Sequence, residues 1–254
     1  EHQISTEKLF SGRFVSEYAF TNELKMMGHV WQRDGKLIIA AKGSAERILT
    51  ICELTDEQRK EAEEKIDSLS SEGLRVIAIA AGYPQTENEV PASITDCRLT
   101  LLGLVGLADP PRESVKNDIA VCTKAGIRVV MITGDNGITA SATAKKVGMP
   151  NSDHIVTGDM LEKMTDAELR EAVKDVSIFS RVIPEHKMRI IKAFKDNGEI
   201  VAMTGDGVND APALKYADIG IAMGKRGSEV SREAADLILM DDNFTTIVET
   251  VRDG

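Results

Sequence analysis

The sequence has little of three things that commonly identify a binding partner or a compartment: positive charge, cysteine and long apolar runs. Its net charge of −10 argues against a nucleic-acid or anionic-membrane surface, because proteins that bind phosphate backbones normally show a basic face. Cys52, Cys97 and Cys122 lie far apart without a metal-binding spacing, which favours buried thiols in a reducing compartment. The longest apolar run, Leu99 to Ala108, is too short to cross a bilayer, and the first residues contain no basic, apolar leader. We therefore expect a soluble chain with no nucleic-acid partner and no membrane-spanning segment.

A mixed α+β unit is predicted for residues 1–105 of the 254. Apolar residues alternate along Arg13–Phe20 and Met27–Gln32, and a third strand, Lys36–Lys42, follows an Arg-Asp-Gly turn. These strands are expected to be antiparallel neighbours. Helical segments and a buried strand, Leu74–Ala81, complete the unit.

Three basic residues, Lys25, Lys42 and Arg75, each lie at the edge of a predicted strand in this acidic chain. Charged side chains at strand edges are often simply solvated. The other interpretation is contact with an anionic ligand, and the spacing alone leaves both open.

The chain alternates between strands and helices from residue 106 onward, and we predict a second domain over 106–254. Ile127–Ile132 is expected to be a strand, Thr133–Asn136 a loop and Ile138–Val147 a helix. A later strand, Ile200–Met203, leads into a second loop of the same kind. Apolar strands between helices predict a parallel sheet covered on both faces, whose ligands lie outside the carboxyl ends of the strands. The two loops therefore belong on the same rim.

The stretch from Met203 to Leu214 carries the clearest chemical signal. Its strand ends in Thr-Gly-Asp-Gly-Val-Asn-Asp, and Pro212 lies in the first turn of the helix that follows. Backbone N–H groups at such a junction attract phosphate, and acidic side chains there can hold Mg²⁺ against phosphate oxygens. Asp beside Gly also marks ordinary turns. Two acids and an amide within five residues, Asp206, Asn209 and Asp210, favour phosphate or Mg²⁺ chemistry.

The tripeptide Thr-Gly-Asp occurs at 133–135, 157–159 and 204–206, so by itself it is not diagnostic. The middle copy follows a short apolar pair and has no second acid, which predicts a turn and a helix cap. The first copy follows a long predicted strand and favours phosphate binding, with a capping turn as the alternative. Lys187 begins a predicted helix, where a cation is unfavourable unless an anion is nearby, so it is either a phosphoryl-neutralising residue or a solvated lysine.

Five segments occur in the order and approximate spacing found in cation-transporting P-type ATPases. They are Lys42-Gly43-Ser44-Ala45-Glu46, Asp109-Pro110-Pro111-Arg112, Thr133-Gly134-Asp135-Asn136, Lys187 and Thr204 to Leu214. The run from Ala217 through Asp241-Asp242-Asn243-Phe244 resembles the calcium-pump and sodium-pump branch. The resemblance covers nearly the whole chain and implies an α/β fold of two domains. The first is an α+β antiparallel-sheet nucleotide-binding domain, and the second is a phosphorylation domain with the doubly wound parallel sheet of the haloacid dehalogenase superfamily.

The resemblance also implies roles for individual residues, with ATP as substrate and Mg²⁺ as cofactor. The nucleotide would contact Phe20, on which adenine stacks, and Lys25, Lys42, Gly43, Arg75, Asp109 and Arg181. Phosphate would be bound by Thr133, Gly134, Asp135, Lys187 and Asn209, and the catalytic residues would be Lys187, Thr133 and Asp206. Asp206 would be the Mg²⁺ ligand, and Asp210 would organise the surroundings of the metal.

The family's nucleophile is the Asp of an Asp-Lys-Thr-Gly-Thr segment, and these 254 residues contain no such segment. In the family this segment forms the first, central strand of the phosphorylation-domain sheet. The resemblance therefore implies a sheet without that strand and a fragment that is inactive alone. The parent would be an ion-translocating ATPase, for calcium or alternatively for sodium, potassium or protons. Its transmembrane and actuator domains would lie outside this chain, which would face the cytoplasm.

Two other functions fit part of the sequence. A soluble haloacid dehalogenase-type phosphatase would use the same phosphate rim, but Phe20 and Lys42-Gly43 would have no purpose in it. A non-catalytic nucleotide-binding module would suit a chain that lacks the nucleophile.

Overall fold

The computed structural model describes residues 11–21 and 23–254, and the chain divides into two compact units between Asp109 and Pro110. The division falls just beyond the expected boundary at residue 105, because the last strand of the first unit continues to Leu107. Both units contain helices and strands, so the α/β fold class is confirmed. Among the described residues, no helix is long and apolar enough to cross a membrane.

The first unit is built on a five-stranded antiparallel sheet whose strands lie side by side in chain order. This arrangement is the one that alternating strands separated by short turns predict. The strands are β1 Arg13–Tyr18, β2 Met26–Arg33, β3 Lys36–Ser44, β4 Arg75–Gly82 and β5 Thr100–Leu107, and the helices α1 Ala45–Thr50 and α2 Asp56–Ser71 connect β3 to β4.

The two faces of this sheet differ because successive residues of a strand point to opposite sides. In β4, Val76, Ala78 and Ala80 are buried, whereas Arg75 and Ile79 are exposed. Helix α1 contacts β3 and β4, helix α2 contacts β4 and β5, and both helices share the core of the buried face. The opposite face of β4 is exposed at Arg75 and Ile79.

The second unit contains two three-stranded parallel sheets where a single sheet was expected. One sheet comprises β6 Met131–Ile132, β7 Ile155–Thr157 and β8 Ile178–Ser180, with β8 in the middle; the other comprises β9 Ala202–Gly205, β10 Ile219–Met223 and β11 Leu237–Leu239, with β10 in the middle. The helices are α3 Val115–Lys124, α4 Gly137–Lys146, α5 Gly158–Lys163, α6 Asp166–Ala172, α7 Pro184–Asp196, α8 Ala211–Tyr216, α9 Glu229–Ala234 and α10 Phe244–Asp253.

Helix α7 supports both parallel sheets. Ile190 packs in the core of the first sheet with Val156 and Phe179, whereas Ile191 packs with Met203 of the second sheet. Adjacent residues of an α-helix point about 100° apart, so one helix can serve two neighbouring cores. The two sheets are therefore held side by side by a common helix, as two parts of one layer would be.

The strand expected at Ile127–Ile132 is shorter in the structure, where only Met131 and Ile132 form β6. The prediction of a long strand is wrong because a strand needs a partner along its length. The described partner of β6 is β8, which is itself only three residues long. Apolar character in the preceding residues, such as Val129 and Val130, serves packing against helices and not a longer ladder.

Candidate active site

A groove lies between the two parallel sheets. In the described part of the chain, β6 pairs with β8 alone and β9 pairs with β10 alone, and residues of both β6 and β9 line the groove. Side chains of α7 line it as well. Among the described residues, the edges of β6 and β9 that face the groove thus have no neighbouring strand. Their backbone N–H and C=O groups are available to pair with an added strand.

The size and lining of the groove match a single extended segment. A residue in a strand takes up roughly 160 Å³, from about 3.3 Å of rise, 4.8 Å between strands and 10 Å between layers. The groove volume of about 770 Å³ therefore corresponds to about five such residues. Its lining includes the apolar residues Ile132, Phe194 and Met203, and its polar end is where Asp206 follows β9 and Lys187 lies in the first turn of the helix α7.

Lys187 and Asp210 form an ion pair at this polar end. Pro184 begins α7 with a fixed φ, so Lys187 lies in the first turn, and its Nζ donates to Asp210 Oδ1. Both side chains are largely buried. The partial positive charge at a helix N-terminus is unfavourable for a lysine, and the negative charge of the Asp210 carboxylate offsets this repulsion. The interpretation of Lys187 as a simple solvated lysine is therefore wrong.

Asp210 also organises the loop that follows β9. Its second oxygen, Oδ2, accepts hydrogen bonds from the backbone N–H groups of Asp206 and Gly207, both at 3.1 Å. Gly205 permits this close approach, because a Cβ there would lie 2.6 Å from the Cβ of Asp210. Asp210 is thus committed to Lys187 and to two amides, which suits a supporting residue better than a direct metal ligand.

Asp206 fits the requirements of Mg²⁺. Its side chain is exposed at the end of β9, and carboxylate oxygens are the protein ligands that Mg²⁺ prefers. Among the described residues there is no group of three or more His, Cys, Asp or Glu that could hold a metal. Mg²⁺ usually takes one or two carboxylates and completes its shell with water and substrate phosphate, so a single exposed carboxylate is sufficient. Asn209 is also exposed, in the short 3₁₀ turn Val208–Asp210.

The first Thr-Gly-Asp loop follows β6, the other strand that lines the groove. Thr133 Oγ1 accepts a hydrogen bond from the N–H of Asp135 at 3.1 Å, and Asn136 caps α4. Arg181, which has a left-handed φ of 53°, donates its backbone N–H to Asp135 O at 3.0 Å and its Nη1 to Gly134 O at 3.2 Å. Arg181 therefore holds the loop in place, a role that the expected nucleotide contact did not include.

The middle Thr-Gly-Asp copy is a helix cap, as predicted. Thr157 is the N-cap of α5, and its side chain accepts a hydrogen bond from the N–H of Met160. A Cβ at Gly158 would lie only 2.2 Å from Arg181 O, whereas a Cβ at Gly134 would meet nothing within 4 Å. Glycine is required sterically at 158, and at 134 it leaves open space.

Two of the expected nucleotide residues of the first unit, Lys42 and Arg75, lie on the exposed side of its sheet. Lys42 pairs with Ile79 across β3 and β4, and Arg75 lies on the same face of β4. Lys42 and Arg75 are exposed, and Phe20, just after β1, is 55% exposed. Exposed positive charge and an exposed aromatic ring are features that suit the binding of phosphates and of a base.

Three other expected nucleotide residues have structural surroundings of their own. Gly43 pairs with Met26, and a Cβ there would lie 2.5 Å from the Cβ of Met26, so glycine is required for packing between β2 and β3. Lys25 adopts a left-handed φ of 53°, and its carbonyl accepts a hydrogen bond from Ser44 N–H at 2.9 Å. Asp109 is exposed at the end of the first unit. Nucleotide contacts by these residues stay predictions.

Two protein-family models match this sequence, and together they cover residues of both units. Residues 85–218 match the family model of the haloacid dehalogenase-like hydrolases, which is more than half of the chain. The chain belongs to the haloacid dehalogenase-like hydrolases. Residues 10–114 match the model for P-type ATPase, cytoplasmic domain N, so the predicted family resemblance is confirmed in both parts of the chain.

Similar curated proteins carry calcium-pump names. The chain is 42% identical over 255 residues to a calcium-transporting ATPase of Bacillus subtilis, which covers 95% of the chain and 28% of that protein. It is 40% identical over 259 residues to calcium-transporting ATPase 1 of Schizosaccharomyces pombe, with 94% and 28% covered. It is 41% identical over 254 residues to the human calcium-transporting ATPase type 2C member 1, with 94% and 26% covered. The chain spans about a quarter of the length of these relatives.

Several residues that support this haloacid dehalogenase-like site were not predicted from the sequence. Ser228 N–H and Ser231 Oγ both donate to the carbonyl of Asp206, at 2.8 and 3.2 Å. Asp242, which is buried, accepts hydrogen bonds from the N–H groups of Lys225 and Arg226 in the loop before Ser228. One signal was available for Asp242, since it follows the end of a predicted strand on the rim that ligands use. Nothing in the local sequence distinguishes the two serines.

Proposed function

We propose that the chain is the nucleotide-binding and phosphorylation region of a P-type cation pump that couples ATP hydrolysis, through an aspartyl phosphate, to ion transport. The observation that carries the proposal is the meeting of Lys187, Asp206 and Asp210 at the polar end of a groove that fits one strand. The match of residues 10–114 to P-type ATPase domain N supports ATP as the substrate, because a phosphatase needs no such unit. The names of the relatives support calcium as the cation.

The reacting carboxylate in this proposal comes from an extended segment that lies in the groove parallel to β6 and β9. A carboxylate after the last residue of that segment would lie beside Lys187 and Asp206. Its oxygen attacks the γ-phosphorus of ATP, the bond to the oxygen that bridges the β- and γ-phosphates breaks, and ADP leaves. Asp210 is a poor candidate for this role because its two oxygens are taken by Lys187 and by two amides.

The residues of the chain then have separate tasks. Lys187 stabilises negative charge on the transferred phosphoryl group, and the loop Thr133–Asp135 with Asn209 contacts its oxygens. Asp206 would hold Mg²⁺, whose charge would help to neutralise the phosphates. On the first unit, adenine stacks on Phe20 and the phosphates are attracted by Lys25, Lys42 and Arg75, with Asp109 as a further nucleotide contact. Arg181, in the second unit, is also a nucleotide contact in this proposal. The parent protein supplies transmembrane and actuator domains, and this region faces the cytoplasm.

The nucleotide part of the proposal is tested by comparing two exposed aromatic residues of the first unit. Phe20 is 55% exposed and Tyr83 is 60% exposed, so neither substitution removes a core side chain. Base stacking on an aromatic side chain contributes about 1–3 kcal/mol, so Phe20→Ala is expected to weaken binding of a non-hydrolysable ATP analogue about fivefold or more. Tyr83→Ala is the matched control and is expected to change affinity less than about twofold. Isothermal titration calorimetry that gives the same affinity for wild type and Phe20→Ala would remove the adenine assignment.

A further inference from the structure

The backbone of Asp206 is fixed on both sides of its side chain. Its N–H donates to Asp210 Oδ2 at 3.1 Å, and its C=O accepts from the N–H of Ser228 at 2.8 Å and from Ser231 Oγ at 3.2 Å. The carboxylate itself is exposed. The direction of the Cα–Cβ bond that carries this carboxylate is therefore set by hydrogen bonds to the peptide groups beside it.

Ser231 contributes to this arrangement from a distant helix. It lies in α9, 25 residues beyond Asp206, and is 0% exposed. The capping hydrogen bond of α9 runs from Ser231 N–H to Ser228 Oγ and does not involve the Ser231 hydroxyl, which accepts a hydrogen bond from Ser228 Oγ at 3.0 Å. The hydroxyl of Ser231 has one hydrogen, which it shares between Ser228 O at 2.8 Å and Asp206 O. Outside its own helix turn, this hydroxyl contacts the carbonyl of Asp206.

The loop that leads into α9 is anchored from two sides. The carboxylate of Asp242 accepts from the N–H groups of Lys225 and Arg226, at 3.0 and 2.9 Å. The guanidinium of Arg232 donates to the carbonyls of Gly224 and Gly227. Because both the amides and the carbonyls of the loop are held, Ser228 and Ser231 reach Asp206 from a rigid support.

We propose that Ser231 is a positioning residue for Asp206, and that its buried hydroxyl keeps the Asp206 peptide in the orientation that directs the carboxylate towards the metal. This inference rests on the proposed function in one respect, that Asp206 binds Mg²⁺. Ser231 touches neither metal nor phosphate in this scheme and acts through the carbonyl of Asp206. Removing its hydroxyl would leave that carbonyl with the N–H of Ser228 and loosen the peptide.

The first test measures the positioning directly. In Ser231→Ala, the exchange rates of the Asp206 and Gly207 amides with water, measured by NMR, are expected to rise about threefold to tenfold, the size expected for one lost hydrogen bond. The amides of α9 and β10 are expected to keep their rates. Ser180→Ala is the matched control, because Ser180 is also 0% exposed in the second unit and its hydroxyl makes no hydrogen bond among the described residues. Ser231→Cys keeps nearly the same volume with a weaker donor and serves if the alanine variant fails to fold.

The second test measures the metal, with Mn²⁺ as the probe and paramagnetic relaxation as the readout. Ser231→Ala is expected to weaken Mn²⁺ binding about threefold to tenfold, and Asp206→Asn to abolish it. Unchanged Mn²⁺ affinity in Asp206→Asn would contradict the proposed metal role, whereas the amide exchange rates would still test the hydroxyl contact. Exchange rates at Asp206 and Gly207 that stay at the wild-type value, or that rise equally throughout α9 and β10, would overturn the positioning role.

Discussion

At the scale of single residues, identical tripeptides have different purposes because their surroundings differ. Gly158 has no room for a side chain beside Arg181 O, and Gly134 has open space on the rim. The sequence predicted the middle copy as a cap from its short strand and missing second acid, and this is confirmed. The space around each glycine was not predictable, because Arg181 O reaches Gly158 from a distant part of the chain.

The two glycines provide a matched pair of substitutions. Gly158→Ala is expected to lower the free energy of unfolding by about 1–3 kcal/mol, since the new Cβ must displace the backbone at Arg181. Gly134→Ala is expected to change it by less than about 0.5 kcal/mol, because its Cβ enters open space. Urea denaturation followed by circular dichroism measures both. Equal losses in the two variants would contradict this steric account.

The contribution of the Lys187–Asp210 ion pair to stability can also be tested at this scale. Lys187→Met leaves the largely buried Asp210 with its two amide donors but without its cation, which is expected to cost about 1–3 kcal/mol of unfolding free energy. Lys192→Met, on the exposed side of the same helix, is the control and is expected to be nearly neutral. Urea denaturation measures the free energy of unfolding of both variants. Equal values for the two variants would show that the ion pair does not stabilise the fold.

At the scale of elements, the loop between β10 and α9 depends on a residue that lies beyond both. Burial raises the pKa of the Asp242 carboxyl, but the N–H groups of Lys225, Arg226 and Gly224 outweigh this and hold its pKa below the ordinary value. A carboxyl whose pKa is lowered by folding stabilises the fold above its unfolded-state pKa. This contribution is lost as the pH falls through the lowered folded-state pKa.

Asp242→Asn is therefore expected to destabilise the chain at pH 7 and to flatten the decline of stability as the pH falls below about 5, towards and through the unfolded-state pKa of an aspartate. The reason is that the amide cannot carry the charge that the three N–H groups favour. Asp196→Asn, an exposed residue at the end of α7, is the control and is expected to leave the shape of the pH curve unchanged. Urea unfolding across this pH range is the measurement, and an Asp242→Asn curve parallel to that of wild type would contradict the account.

At the scale of the whole molecule, the periodicity of the sequence predicted antiparallel strands followed by parallel ones, and the two kinds of sheet occur in that order. The strand expected at Ile200–Met203 is found two residues later, at Ala202–Gly205, and the rim that carries Asp206 was predicted from its position after that strand. The division of the parallel layer into two sheets was not predicted from periodicity, because apolar runs such as Ile127–Ile132 are the same whether or not a partner strand is present. The hydrogen bonds among Asp206, Asp210 and Ser231 could not be predicted either, since they join residues through tertiary packing.

The central claim is that an acid-bearing strand completes the groove and accepts a phosphoryl group from ATP. A direct measurement adds a synthetic peptide, a five-residue apolar strand followed by Asp-Lys-Thr-Gly-Thr, with Mg²⁺ and ATP labelled at the γ-phosphate. We expect the peptide to bind and its Asp to gain hydroxylamine-sensitive phosphate, with no transfer in Lys187→Ala or with Asn in place of the peptide's Asp. Equal labelling with the Asn peptide, no peptide binding, or a bound peptide that stays unlabelled would contradict the account.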